Sequence, residues 1–367
     1  MSIRFKKKEF DMLPVTTLLG GSCSNIREIV AKRTIDKAFR KKYLFTRLSA
    51  RVLGMLGNGE EKNYLKKVKQ FSVAEPPIFI IGFWRSGTTL MHHLMTKNKD
   101  FGFIDTYHSV FPNHVLANKW WLKNIAQLLL PEKRPGDNMK LDFNFPQEEE
   151  IALGNLQPIS FYNFFYFPRD IEDFISESLF FENISEGQLG RWKDAYTRLM
   201  NTALINTEGK QFVSKNPPNT FRIKILLDMF PDARFIYMYR DVYETIYSFL
   251  GFVKGVLQGV KLQEYDLLEN KIQLIRLYKL MQETFAKDKH LIPKGQLVEV
   301  EYAYFTEHKK EELIRVYAQL GLKGIDKAMP DIEAYLHEID NYKMSNHQID
   351  SDLIQLINKE LGDKFTL

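Results

Sequence analysis

The chain has a single cysteine, Cys23, in 367 residues, which excludes an intramolecular disulfide and any metal cluster built on several thiolates. No run of about 18 apolar residues occurs, so no segment reads as a membrane-spanning helix. The first nine residues, MSIRFKKKE, are basic but lack the apolar stretch of a secretory signal. The expectation is therefore a cytoplasmic protein, soluble or at most peripheral on the inner face of a membrane. Internal repeats and low-complexity tracts are also absent. With 44% apolar and 26% charged residues, the composition excludes a collagen-like, disulfide-stapled or mainly disordered chain.

Aromatic residues are plentiful, at 28 Phe, 17 Tyr and 4 Trp, enough for a large core and for rings left over to line a pocket. The length suits two average domains, or one α/β domain carrying large insertions. Charge is unevenly placed. Residues 1–70 hold 17 Lys and Arg against six Asp and Glu, whereas the whole chain is only +5, so the remainder is net acidic. A basic arm on a mildly acidic body suggests docking to an anionic surface. That arm lacks the interleaved aromatics of a nucleic-acid stacking platform, so a nucleic-acid partner is not expected. No feature of the sequence specifies an oligomeric state.

Ile26, Ile29, Val30, Ile35, Phe39, Leu44, Leu48, Val52 and Met55 recur at helical spacing among basic residues, predicting one or two amphipathic helices over 25–57. Gly54, Gly57 and Gly59 interrupt the pattern, and Pro76-Pro77 marks a boundary. Beyond it, Ile78-Phe79-Ile80-Ile81 is a short apolar run expected of a strand buried on both faces. A glycine-rich turn and a helix bearing Leu90, Leu94 and Met95 follow. Residues 100–209 are proline- and aromatic-rich and read as loops and short helices, with one strand before Asp105. Alternation then returns: strand 212–214, helix 220–229, strand 234–239, helix 242–253, helix 264–289, strand 297–302 and helix 309–320. Strands alternating with helices predict an α/β fold, a parallel β-sheet flanked by helices. The expected organisation is an arm over 1–75 and an α/β domain over 76–367, with an insertion over about 106–209.

Gly82-Phe83-Trp84-Arg85-Ser86-Gly87-Thr88-Thr89 lies between the first strand and its helix. Its G-x-x-x-x-G frame is that of a phosphate-binding loop, where backbone N–H groups at a helix start cradle an anion. The bland reading is a tight turn without a ligand, which the polar and cationic residues inside the loop disfavour. Position 88 is threonine where a nucleoside triphosphatase has its lysine, and no apolar strand ends in a clear magnesium-binding aspartate. Arg85 can supply the charge instead, as a planar fork. Farther on, Arg240 closes the strand Phe235–Tyr239, and Ser248 follows eight residues later; an arginine at a helix start with a hydroxyl two turns inward can clasp a dianion. The alternative is that Arg240 merely pairs with Asp241 or Glu244.

The R-S-G-T-T loop after P-I-F-I-I-G resembles that of the sulfotransferases, in particular the bacterial members of this P-loop superfamily. The resemblance extends, in order, to Arg240 and Ser248, to Phe212-Val213-Ser214-Lys215-Asn216-Pro217-Pro218, and to Val298-Glu299-Val300-Glu301-Tyr302, covering residues 76–322. Leu336–Ile349 is weakly similar to the bacterial C-terminal segment. Ala303 departs from the pattern, standing where an acidic residue is common.

The resemblance implies transfer of a sulfonate from 3′-phosphoadenosine 5′-phosphosulfate (PAPS) to an alcohol, leaving adenosine 3′,5′-bisphosphate (PAP), without a metal. It implies that Arg85, Ser86, Gly87, Thr88, Thr89, Lys215, Arg240, Ser248 and Tyr302 hold the cofactor. It also implies that Lys215 and Arg85 act on the transferring group. The histidine that many cytosolic members carry two residues after the matching lysine is replaced by Pro217. Candidate bases are then His108 and the Glu148-Glu149-Glu150 run, with Glu148 and Glu150 favoured; the carboxylates could equally be an acidic helix start. His92-His93 reads as packing or surface. Ile159–Pro168, with six aromatics in ten residues, is either core or a pocket for an apolar steroid, sterol or lipid alcohol. A P-loop small-molecule kinase, and a non-catalytic nucleotide-binding membrane-associated protein, remain the alternative readings.

Overall fold

In the computed structural model, residues 15–56, 59–71, 75–116, 124, 142–339 and 349–362 are described. The weakly matched C-terminal segment at 336–349 falls mostly outside them. In chain order the main helices are α1 (Cys23–Val30), α2 (Arg40–Leu56), α3 (Glu60–Val68), α4 (Thr88–Met95), α5 (Thr106–Val110), α6 (Glu150–Leu156), α7 (Glu186–Thr207), α8 (Ile223–Met229), α9 (Val242–Val260), α10 (Leu267–Asp288), α11 (Lys309–Gln319), α12 (Ile325–Ile339) and α13 (Ser351–Leu361). The strands are β1 (Ile78–Gly82), β2 (Phe101–Gly102), β3 (Gln211–Lys215), β4 (Arg234–Tyr239) and β5 (Leu297–Glu301). Among the described residues no helix is long and apolar enough to cross a membrane.

The chain forms two compact units. One comprises Phe71–Ile104, Ala203–Phe249 and Leu267–Leu367 and contains the sheet. All its strand pairs are parallel, in the order β2-β3-β1-β4-β5. β1 is central, pairing Ile80 with Lys215 on one side and with Ile236 on the other. Every residue of β1 is buried, which is why it shows no polar alternation. At the β5 edge the pattern relaxes: Val298 and Val300 point inward, while Glu299 and Glu301 are exposed. On one face of the sheet, α4, α11 and α12 supply Met91, Leu94, Leu313, Val316 and Ile332 to a core with Ile78, Ile80, Val213 and Ile236. On the other, Tyr237 of β4 stacks on Phe285 of α10 at 3.5 Å. Helices on both faces make the α/β sandwich expected from the sequence. The connection leaving β1 runs to β2 and β3, whereas β4 and β5 extend the opposite way; ligands bind at the carboxyl ends of strands where such a reversal occurs.

The other unit comprises Met1–Gln70, Asp105–Thr202 and Leu250–Asp266. Both expected arm helices are present, as α1 and α2, and α3 adds a third. Gly54 does not interrupt α2; a side chain there would meet open space, so the helix passes through an exposed position without a steric demand. The larger departure is α7, 22 residues of helix where loops and short helices were expected. Its buried Trp192, Tyr196, Leu199 and Ala203 follow helical spacing, but Gly187, Gly190 and several Asn and Thr residues lower its intrinsic propensity. Packing of that face outweighs propensity. Conversely, the helix expected from 220 begins at Ile223, because Pro217-Pro218 starts a tighter 3-10 turn over Pro217–Arg222.

Candidate nucleotide and sulfonate site

β1 ends at Gly82, and the loop Phe83–Gly87 delivers the chain to the N-terminus of α4. Two glycines are required here by geometry. Gly82 has φ +131°, and a β-carbon would lie 2.2 Å from the Met238 carbonyl oxygen on β4. Gly87 has φ +96°, and a β-carbon would lie 2.2 Å from the Tyr302 ring. Between them Arg85 adopts φ 70°, a conformation costly for a side-chain-bearing residue and held only where surroundings enforce it. Thr220 clamps the loop's start: its Oγ1 accepts from Gly82 N at 2.9 Å and donates to Gly82 O at 3.3 Å. Ser86 Oγ donates to Phe83 O at 2.7 Å, and Ser86 and Thr88 are buried. Thr89 is half-buried in the first turn of α4.

The cations expected from widely separated positions meet at this loop. Arg85 Nε donates to Ser248 Oγ at 2.9 Å. The Arg240 guanidinium reaches Arg85 O at 3.5 Å and lies 4.7 Å above the Tyr302 ring. Arg240 also pairs with Glu244 at 2.5 Å, so the contact expected from the alternative reading is present together with its place at the loop. Arg85, Gly87, Arg240, Ser248 and Tyr302 thus form one contiguous group drawn from β1, β4, β5 and the segments after them.

Lys215 ends β3 opposite Ile80 and is fully buried, so it is not the surface cation it could have been. Behind it, Asn219 donates to Ser214 Oγ at 3.2 Å and accepts from Asn216 at 3.2 Å and Arg222 at 3.4 Å, all within the buried Asn216–Arg222 turn. His92 of α4 is buried too. Burial first, and then the charges of Lys215 and His93, hold its pKa well below the usual imidazole value. The sequence assigned His92 no chemical role; the G-T-T-x-x-H spacing, which places it one helical turn from the loop, was the available signal. His93 is buried and bonds Tyr335 Oη at 3.1 Å, so neither histidine is a surface residue.

In the other unit, Glu149 and Glu150 are fully buried at the start of α6. Glu150 Oε1 accepts from Phe161 N at 2.7 Å, anchoring the aromatic segment. Glu148, only half-buried, accepts a short hydrogen bond from Tyr162 Oη. The six aromatics between Ile159 and Pro168 are all buried and pack on one another, Phe164 on Phe165 at 4.2 Å and Phe161 on Phe164 at 4.7 Å. They are core, as their density first suggested.

His108 sits in α5, its backbone N–H bonded to the Asp105 N-cap at 2.7 Å. Its ring is fully buried with neither nitrogen hydrogen-bonded among the described residues, and burial pulls its pKa down to about 3. Unfolding restores an ordinary value near 6.5, so between about pH 6.5 and 3 the unfolded chain binds a proton that the native chain refuses. Stability therefore falls with pH in that window, by up to about 1.4 kcal/mol per pH unit from this group, and the loss levels off below about pH 3. Urea midpoints measured across the window for wild type and His108→Leu are expected to show a shallower slope in the variant. Equal slopes would refute the buried neutral imidazole.

The sulfotransferase family model matches residues 76–326, which include every group of the loop cluster. Omega-hydroxy-beta-dihydromenaquinone-9 sulfotransferase Stf3 of Mycobacterium bovis and of Mycobacterium tuberculosis is 28% identical over 324 residues, 87% of this chain and 81% of the relative. Among solved structures, sulfotransferase STF1 of M. tuberculosis superposes with a TM-score of 0.65 at 16% identity, covering 94% of this chain and 93% of that one. Sulfotransferase STF9 of Mycobacterium avium gives 0.65 at 14% identity over 96% of both chains, and these two likenesses establish the shared fold. With the family match spanning more than half the chain and coinciding with the loop, Lys215 and Arg240, the protein belongs to the sulfotransferase family.

Proposed function

We propose that the protein transfers a sulfonate from PAPS to the hydroxyl of an apolar acceptor, a lipid alcohol in preference to a steroid or sterol. The observation that carries the donor assignment is the group formed by Arg85, Ser248 and Arg240 around a loop whose glycines leave no room for a β-carbon. A glycine-lined cradle at a helix start fits the 5′-phosphosulfate, with Thr88 and Thr89 as hydroxyl donors and Ser86, whose hydroxyl donates to Phe83 O, shaping the turn. Arg240 and Ser248 fit the 3′-phosphate, for which Glu244 must yield the guanidinium, and Tyr302 positions Arg240 from its ring face.

When bound, the donor supplies an electrophilic sulfur whose bond to the phosphate oxygen breaks as the acceptor oxygen forms a new one. Lys215 and Arg85 then face negative charge growing on the leaving oxygen. Fixed donors aimed at developing charge are each worth about 2.7–4 kcal/mol, so this chain needs no metal for the transfer. The acceptor proton must go to a base. The candidates are the buried imidazole of His108 and the carboxylates of Glu148 and Glu150. Both carboxylates already accept a hydrogen bond, Glu148 from Tyr162 Oη and Glu150 from Phe161 N. Turnover of single Glu148→Gln, Glu150→Gln and His108→Leu variants separates the three.

The lipid acceptor is supported by the name of the Stf3 relatives, which act on a hydroxylated menaquinone derivative. The insertion over about 106–209 is proposed to shape the acceptor pocket, and a peripheral position at the cytoplasmic membrane face is where such an acceptor would be met. The deciding experiment is thermal stabilisation by PAP in EDTA, compared with ATP and magnesium. PAP at a hundredfold over its Kd is expected to stabilise by about 2.7 kcal/mol, and Arg240→Ala to abolish the effect. A response confined to ATP with magnesium would reject PAPS in favour of a kinase. PAP binding without turnover across a broad screen of lipid and sterol alcohols would favour the non-catalytic reading.

A further inference from the structure

We propose that α2 is an interfacial anchor that docks the protein on an anionic lipid bilayer. Toward the unit's interior the helix turns Thr46 and Ala50, each 1% exposed, and Leu53, which packs partly buried against Tyr107, Phe111 and Phe143. Thr46 is tied in place, its hydroxyl accepting from Thr16 N at 3.0 Å, and Lys42 Nζ donates to Gly259 O at 2.7 Å. Five other large apolar side chains point the other way. Leu44, Phe45, Leu48, Val52 and Met55 are 49–60% exposed. At 100° per residue, Leu44, Met55, Leu48, Val52 and Phe45 fall within one arc of about 100°, an apolar stripe facing solvent.

Charge identifies the occupant. Arg51, Arg40 and Arg47 run along one flank of that stripe, and Lys41 lies within it at the helix start. α2 contains no acidic residue at all. A solvent-facing apolar stripe bordered by cations is the arrangement that lies in the headgroup region of a bilayer, rings and methyls down and arginines at the phosphates. Leu65 of α3, itself 49% exposed between Lys62, Lys66 and Lys69, repeats the pattern. A second copy of the chain is the poorer occupant. Pairing two such helices about a two-fold would set basic flanks together with no carboxylate on either helix to meet them. The inference rests on the proposed function only for the acceptor's origin in that membrane.

The test is cosedimentation of the full chain with phosphatidylglycerol–phosphatidylcholine vesicles and with phosphatidylcholine alone, at low and high salt. Binding at least about tenfold stronger to the anionic vesicles, weakened by salt, is expected, with each of Arg47→Glu and Arg51→Glu costing about fivefold or more. The pair Leu48→Glu and Met55→Glu is expected to abolish sedimentation while stabilisation by PAP persists, which shows that the variant is folded. Because Cys23 is the only cysteine, Cys23→Ser with Leu48→Cys carries one environment-sensitive dye, whose emission should shift to the blue on anionic vesicles. Equal binding to both vesicles, or none, would overturn the proposal. So would a dimer in light scattering that Leu48→Glu dissolves. Vesicle binding in a protein that ignores PAP would leave the anchor standing and remove the nucleotide reading instead.

Discussion

Lys215→Ala is expected to lower kcat for sulfonate transfer by about 10²–10³-fold while stabilisation by PAP is largely kept. The asymmetry follows from where Lys215 sits. It is fully buried at the last position of β3, opposite Ile80 of β1 and so beside the strand that carries the loop. The phosphate-facing donors of the loop, and Arg85, Arg240 and Ser248, are supplied by other elements and survive its removal. On the proposed mechanism, what is lost is a fixed cation serving charge that appears only as the sulfonate leaves, so the effect is expected on kcat and not on nucleotide affinity. Lys215→Met, which keeps most of the buried volume, separates charge from packing and should lose as much turnover as alanine. The neighbouring His92, whose pKa burial holds well below the usual imidazole value, adds no positive charge of its own beside Lys215. Full turnover in either Lys215 variant would remove the lysine from the mechanism.

Gly82→Ala and Gly87→Ala should fail in different ways although each β-carbon would meet an atom at 2.2 Å. At Gly82 the obstacle is the backbone carbonyl of Met238, one strand away in the central pair of the sheet, and φ is +131°. Nothing there can swing aside without separating β1 from β4, so a loss of about 4 kcal/mol or more, or failure to fold, is expected. At Gly87 the obstacle is a tyrosine ring, which can rotate away. The stability loss should stay near about 1–2 kcal/mol, chiefly the strain of φ +96°, but Tyr302 would leave the face of Arg240. Nucleotide binding is therefore expected to drop sharply in a protein that still folds. Denaturant unfolding with and without PAP distinguishes the two. A Gly87→Ala protein that binds PAP like wild type would show that the Tyr302–Arg240 contact does not matter to the site.

Much of the backbone around the candidate nucleotide site was legible without coordinates because its determinants are local. A four-residue apolar run between Pro77 and Gly82 can only be a short buried strand, and a glycine frame with Arg85, Ser86, Thr88 and Thr89 dictates a turn into a helix. Arg240 and Ser248 were readable for the same reason: the arginine closes a strand just before a helix that begins at Val242, and helical geometry carries Ser248 about two turns inward whatever surrounds it. Helix α7 was not legible, because its glycines and polar residues argue locally against helix and only the packing of Trp192, Tyr196, Leu199 and Ala203 argues for it.

Side-chain roles divided along the same line. Whether Lys215 is buried or exposed, whether six aromatics form a core or a pocket, and whether Glu150 faces solvent or the Phe161 backbone all depend on neighbours supplied from elsewhere in the chain. Tyr302 meets Gly87 and Arg240 only because β5 pairs with β4 and β4 with β1 in parallel, through crossovers of tens of residues. By itself the sequence determined the α/β fold, the phosphate loop and the residue types that can hold an anion, since backbone conformation and periodicity are set within a few residues. The tertiary structure alone decided which of those residues converge, which are desolvated and which way α2 turns its apolar face, because burial and side-chain contact are properties of non-local packing.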